Sequence, residues 1–179
     1  MKRKPIILSG LFVAATAALF AATAARKQIT PREESSIAPA ASAPSLSWEL
    51  KDVSGKLVKS SDFAGKVVIL DFWATWCGPC RMEIPGFIEF QKQYADKGLV
   101  VVGVSLDQDG ASVVKSFMDK SGINYPVLLG DETIVSAFGG VEGIPTTFII
   151  DRKGQIVRKH VGYAEKAEFE ADIKPLLKL

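Results

Sequence analysis

Cys77 and Cys80 are the chain's only cysteines. They stand in the run Trp76-Cys77-Gly78-Pro79-Cys80, at the point where an apolar strand gives way to a helix. This placement constrains the fold more than any other feature. Val67 to Phe72 is dominated by large and β-branched apolar residues, which predicts a central strand buried on both faces. The residues from about Cys77 to Lys97 predict a helix, with a kink at Pro85 and a stop at Gly98. A thiol at the helix N-terminus meets unpaired N–H groups and the positive end of the dipole, so its thiolate is stabilised. The second cysteine lies one turn on, which sets the two Cα atoms roughly 5–6 Å apart, within reach of a disulfide. Pro79 has no N–H to lose in a first turn. The pattern is that of a dithiol redox centre. Cys77 attacks a substrate disulfide, and the shielded Cys80 then displaces it.

Other uses of a Cys-x-x-Cys fit less well. Zinc needs two further ligands, and the sole histidine, His160, lies about eighty residues away on a predicted strand. No isolated cysteine exists for peroxidase chemistry. A Cu(I) metallochaperone using the same pair and a general dithiol oxidant stay open as alternatives.

The chain around this centre alternates strand and helix. A short hairpin is expected from Trp48–Val53 and Lys56–Val58, and a helical turn from Ser60 to Phe63. A second buried strand follows at Leu99–Val104. A helix capped by Asp109 or Ser112 runs to about Lys120. Then come a strand at Val127–Leu129, a short helix at Thr133–Phe138, strands at Thr147–Ile150 and Gln155–Val161, and a last helix from Lys166 to Leu177 interrupted near Pro175. Such alternation predicts an α/β domain, and the final hairpin makes its sheet mixed.

Charge is distributed unevenly. Residues 1–47 carry a net +4 and residues 48–179 a net −2, so the folded part offers no excess of cations to a phosphate backbone. No nucleic-acid partner is expected. Lys2, Arg3 and Lys4 precede an uncharged run from Ile6 to Ala25, of which eight residues are Ala. Residues 1–25 therefore read as a signal peptide or an N-terminal membrane anchor, long enough as a helix to span about 30 Å. Arg26 and Lys27 directly after the run disfavour cleavage. Residues 26–45, with Pro31, Pro39 and Pro44, read as a flexible linker, and 46–179 as the folded domain.

Asp71-Phe72-Trp73-Ala74-Thr75-Trp76-Cys77-Gly78-Pro79-Cys80, followed by Gly143-Ile144-Pro145-Thr146-Thr147, resembles the thioredoxin superfamily. Five details resemble its membrane-tethered ResA/TlpA branch. They are the export segment, the leading hairpin, Asp62-Phe63-Ala64-Gly65-Lys66, a helix-bearing insertion around Gly110–Tyr125, and Glu83 three residues past Cys80. The resemblance implies a thioredoxin-like fold, a central mixed sheet flanked by helices with an N-terminal β-hairpin and that insertion. It implies a cis peptide at Ile144–Pro145, with Ile144 holding substrate as a strand and Pro145 denying metals access to Cys77. Trp76, Gly78 and Pro79 would form the rim that substrate touches.

Two acids are candidates for managing protons. Asp71 corresponds to a buried Asp of thioredoxin, and the alignment sets Gly103 where thioredoxin places a nearby Lys. Glu83 is the acid used in the ResA-like branch. The expected activity is a protein thiol–disulfide oxidoreductase in a bacterial extracytoplasmic compartment, needing no cofactor and no metal. Its expected partners are a disulfide-containing protein, apocytochrome c with its Cys-x-x-Cys-His foremost, and a membrane thiol-electron donor of the CcdA/DsbD kind. Asp107-Gln108-Asp109-Gly110 faintly resembles a calcium loop, but helix capping explains it better.

Overall fold

A computed structural model of the protein describes residues 46–179. The readings made above for residues 1–45, the export segment and the linker, lie outside the described residues.

The centre of the domain is a five-stranded sheet. Its strands are β3 (Val67–Trp73), β4 (Leu99–Ser105), β5 (Val127–Leu129), β6 (Thr146–Ile150) and β7 (Ile156–Val161). They lie in the order β5-β4-β3-β6-β7. β3 runs parallel to β4 and β4 to β5, while β6 is antiparallel to both β3 and β7. The sheet is thus mixed, as expected, but its antiparallel character begins at the β3–β6 pairing rather than only at the last hairpin. β1 (Glu49–Lys51) and β2 (Leu57–Lys59) form a separate two-stranded sheet, shorter than the sequence suggests. A single bridge between Asp52 and Leu128 ties it to the edge of the main sheet. A 3-10 turn covers Ser60–Phe63.

Every residue of β3 and β4 is buried. Alternation divides their side chains between two cores. Val67, Ile69 and Trp73 face the helices α1 (Gly78–Tyr94), α2 (Ala111–Ser121) and α4 (Lys166–Leu177). Val68, Leu70 and Phe72 face α3 (Glu132–Ala137) and the β1–β2 hairpin. Phe72 meets Phe138 and Phe148 edge-on, at 5.4 and 5.9 Å between ring centroids. Each fully buried ring of this kind is worth about 1.5–3 kcal/mol over an exposed one.

The helices depart from the sequence reading at their ends. α1 is continuous through Pro85 and closes in a 3-10 turn at Ala95–Lys97. Gly98 follows with φ of 88°, a left-handed conformation that favours glycine. α2 begins after Gly110 with no side-chain cap, so neither Asp109 nor Ser112 caps it. α3 is capped instead by Asp131, whose carboxylate accepts from the Ile134 N–H. α4 passes through Pro175 to Leu177 rather than breaking there.

The redox pair and the first described residues lie toward opposite ends of the central strand β3. Cys77 follows the C-terminal end of β3, whereas Leu46, Trp48, Phe63, Lys66 and Arg152 line a cavity of about 370 Å³ beside its beginning. Among the described residues, no helix is long and apolar enough to cross a membrane.

Candidate active site

Cys77 is the residue from which α1 starts, and its Sγ accepts a hydrogen bond from the Cys80 N–H at 3.3 Å. The two sulfurs are joined as a disulfide, with 5.3 Å between the Cα atoms. Cys80 is fully buried, whereas Cys77 keeps 5% of its surface exposed. The stripe Cys80, Glu83/Ile84, Phe87, Phe90 and Tyr94 is the helical period of the buried face of α1. Glu83 therefore points into the core: it is 4% exposed, not a solvated surface charge.

The rim is laid out as the sequence suggests. Trp76 is 69% exposed, and Gly78 and Pro79 are exposed beside it. The Ile144–Pro145 peptide is cis. Its loop is pinned on both sides, by Thr146 Oγ1 donating to the Gly143 carbonyl at 2.6 Å and by Gly162 N–H donating to the Pro145 carbonyl at 2.8 Å. This holds the Ile144 carbonyl oxygen 3.7 Å from Cys77 Sγ.

Asp71 follows Ile69 on the same face of β3, the face that packs against the core containing Cys77 and Cys80. It is 2% exposed and accepts a hydrogen bond from Thr147 Oγ1 at 3.0 Å. In register, Asp71 stands opposite Gly103 on β4. No cation occupies that position. A Cβ at 103 would fall 2.8 Å from the indole nitrogen of Trp73, a buried N–H with no hydrogen-bond partner among the described residues. The indole fills the space that a longer side chain at 103 would need.

Burial shapes the protonation of both acids. Desolvation, then the nearby Glu83 charge, holds the Asp71 carboxyl well above the usual range, with the Thr147 hydroxyl opposing. Desolvation raises Glu83 to about 7, opposed by the Ala164 N–H that Glu83 Oε1 accepts at 2.8 Å. Glu83 Oε2 is buried with no hydrogen-bond partner among the described residues. Tyr125, buried in the same core, is raised well above its usual value by desolvation and by the charges of Asp71 and Glu83. One apolar chamber therefore holds the disulfide and two acids that resist ionising. Neither acid hydrogen-bonds to a cysteine: Asp71 is tied to β6 and Glu83 to the start of α4.

A further residue shapes the site, and the sequence reading did not assign it there. Asp107 neither caps α2 nor joins a metal cluster; no group of three potential ligands occurs among the described residues. Its carboxylate accepts from Thr75 N–H at 2.9 Å, Thr75 Oγ1 at 2.6 Å and Ser105 Oγ at 2.8 Å. These bonds fasten the loop that carries Trp76 and Cys77 to the end of β4. The available signal was an Asp two residues past a strand whose parallel neighbour leads into the cysteines. His160, read as an ordinary strand residue, pairs with Asp172 at 2.8 Å.

Comparison with known proteins agrees with this geometry. The AhpC/TSA family model matches residues 39–159. The chain is 39% identical over 144 residues to the thioredoxin-like protein YneN of Bacillus subtilis, covering 80% of this chain and 83% of the relative. It is 36% identical over 128 residues to the thiol-disulfide oxidoreductase ResA of the same organism, covering 71% and 69%. Among solved structures, a thioredoxin-family thiol:disulfide interchange protein from Chlorobium tepidum superposes with a TM-score of 0.71 at 38% identity. That match covers 78% of this chain and 99% of the other. The fold is thioredoxin-like.

Proposed function

The chain belongs to the AhpC/TSA family and is a thiol-disulfide oxidoreductase acting through Cys77 and Cys80, and from that premise we propose that it serves as an exported reductase of protein disulfides. The observation that carries the direction is the pair of buried acids facing the cysteines without a compensating cation on β4. Glu83, at about 7, is about half ionised near neutrality, and that charge opposes a thiolate, so the reduced form is not specially stabilised and oxidising the pair is comparatively favourable.

In the proposed cycle the Cys77 thiolate attacks one sulfur of a substrate disulfide. A mixed disulfide forms and the other substrate sulfur leaves as a thiolate. Cys80 then gives its proton to a buried carboxylate and attacks Cys77 Sγ, releasing the second substrate sulfur. Two electrons pass to the substrate, and the Cys77–Cys80 disulfide remains. Glu83, raised to about 7, can both take and return a proton near neutrality. Substrate lies along Ile144 with Trp76, Gly78 and Pro79 at its rim, and Pro145 shields the sulfur from metals. A membrane thiol donor of the CcdA/DsbD kind restores the dithiol. The leading substrate is apocytochrome c, whose Cys-x-x-Cys-His must be reduced before haem attachment.

The test uses chemically reduced protein and an oxidised Cys-x-x-Cys-His peptide, with thiols titrated over time. Stoichiometric transfer of two electrons to the peptide is expected. Transfer from reduced peptide to the oxidised protein instead would make the protein an oxidant.

A further inference from the structure

On the side of α1 away from Glu83, an open groove of about 450 Å³ runs between α1 and α2, lined by Thr75, Arg81, Val113, Phe117 and Lys120. Its position ties it to the redox centre. Thr75 lies two residues before Cys77, and the Arg81 N–H bonds to the Cys77 carbonyl at 3.1 Å, so Arg81 stands one turn along the same helix. A chain attached to Cys77 Sγ reaches Arg81 within about two residues of its own attacked cysteine.

The groove's chemistry is specific. The Arg81 guanidinium lies 5.7 Å over the ring of Phe117, whose other neighbour is Trp73 at 5.4 Å. Stacking limits the arginine's freedom while leaving its donors free for a planar, bidentate acceptor. Val113, 38% exposed, adds an apolar wall. Among the described residues neither Arg81 nor Lys120 has a carboxylate within ion-pair distance. The opposite flank of α1 offers no such free pair: in its cavity Lys166 is ion-paired with Glu89, and Glu83 is buried.

We propose that this groove receives an acidic stretch of the protein being reduced, with an aspartate or glutamate about two residues from the attacked cysteine paired to Arg81 and Lys120. The inference rests on the reading of the chain as a protein-disulfide reductase and adds a substrate feature to it. A polypeptide crossing Cys77 meets the Arg81–Lys120 pair on one flank of α1 only, so the pairing also sets the direction in which it lies.

The test compares two oxidised peptides that differ only in carrying Glu or Gln at that position, each mixed with reduced full-length protein. The second-order rate of disulfide transfer is the readout. The wild type should favour the Glu peptide by about two- to fivefold at low ionic strength, as one exposed ion pair allows, and less as salt rises. The ratio should fall to about one in the double variant Arg81→Gln/Lys120→Gln. In Arg81→Glu/Lys120→Glu it should invert in favour of a Lys-bearing peptide. A ratio compares two substrates on one protein, so changes in intrinsic thiol reactivity cancel. Equal rates on both peptides in the wild type, or a preference that survives in the double Gln variant, overturn the pairing alone. Reduction of neither peptide overturns the reductase reading and the pairing with it.

Discussion

The Asp107 carboxylate takes both hydrogens that Thr75 offers, the amide at 2.9 Å and the hydroxyl at 2.6 Å. The loop it holds is the one that aims Cys77 at substrate. Asp107→Ala should lower stability by about 1–3 kcal/mol in urea unfolding, since it leaves partly buried donors unmatched. It should also move the pH midpoint of Cys77 alkylation upward, because a loosened loop weakens the Cys80 N–H contact with the sulfur. Asp107→Asn, which keeps an acceptor, should fall between the two proteins. An alkylation profile in the Ala variant that coincides with wild type would show that Asp107 acts on stability alone.

The assignment of nucleophile follows from accessibility: Cys77 retains 5% of its surface and Cys80 none. Cys80→Ser should accumulate mixed disulfides with substrate proteins on non-reducing gels, and Cys77→Ser should accumulate none. Faster alkylation of Cys80 than of Cys77 would reverse the roles.

Glu83 gives the protein a predictable pH response. Its folded value of about 7 lies above the ordinary 4.5, so the native state holds a proton that the unfolded chain has released across that interval. Its contribution to stability is therefore complete below about pH 4.5 and is lost as pH rises through about 7. Asp71, also raised, acts with the same sign. Glu83→Gln should flatten the stability profile over this window, removing a decline on the order of 1–3 kcal/mol, as read from unfolding at several pH values. In single-turnover exchange the same variant should lose the rate step near neutrality, and Asp71→Asn should slow exchange with its fold intact. Unchanged kinetics from pH 5 to 9 in both variants would remove these acids from proton transfer.

Much of this site could be read from residues alone, and the physical reasons are visible. Val67–Phe72 and Leu99–Val104 announce buried strands because both faces must be apolar. The cysteines sit at a strand-to-helix junction that only one helix start can serve. Glu83 was identified as a candidate, and its burial follows from its position three residues past Cys80 on the apolar stripe of α1. Less could be foreseen where the partner is remote in sequence. The Asp107 carboxylate turns away from α2 because Thr75, 32 positions earlier, supplies better donors. The Ala164 N–H that takes one oxygen of Glu83 lies 81 positions on. Local pattern reports which face a side chain occupies, whereas its hydrogen-bond partner depends on how the strands are ordered.

Gly103 offers a test of packing beside Asp71. A Cβ there would stand 2.8 Å from Trp73 Nε1, inside a fully buried strand. Gly103→Ala should force the indole aside and cost about 1–3 kcal/mol in urea unfolding. No loss of stability would mean that the indole relocates freely.

The potential of the pair should be reducing. Arg81 and Lys120 line the groove on the side of α1 away from Glu83, whose half-ionised carboxyl shares the buried face of α1 with Cys80 and has no cation opposite it on β4. Equilibration with a glutathione redox series, followed by Trp76 fluorescence or alkylation, should give a value below about −180 mV, the figure for protein disulfide isomerase. A value near about −120 mV, that of a strong dithiol oxidant, would sink the reductase reading.

Leu46 and Cys77 flank the opposite ends of β3, a seven-residue strand about 20 Å long. A molecule seated in the cavity beside Leu46 and Trp48 would therefore lie one strand length from the disulfide and leave the approach to Cys77 uncovered.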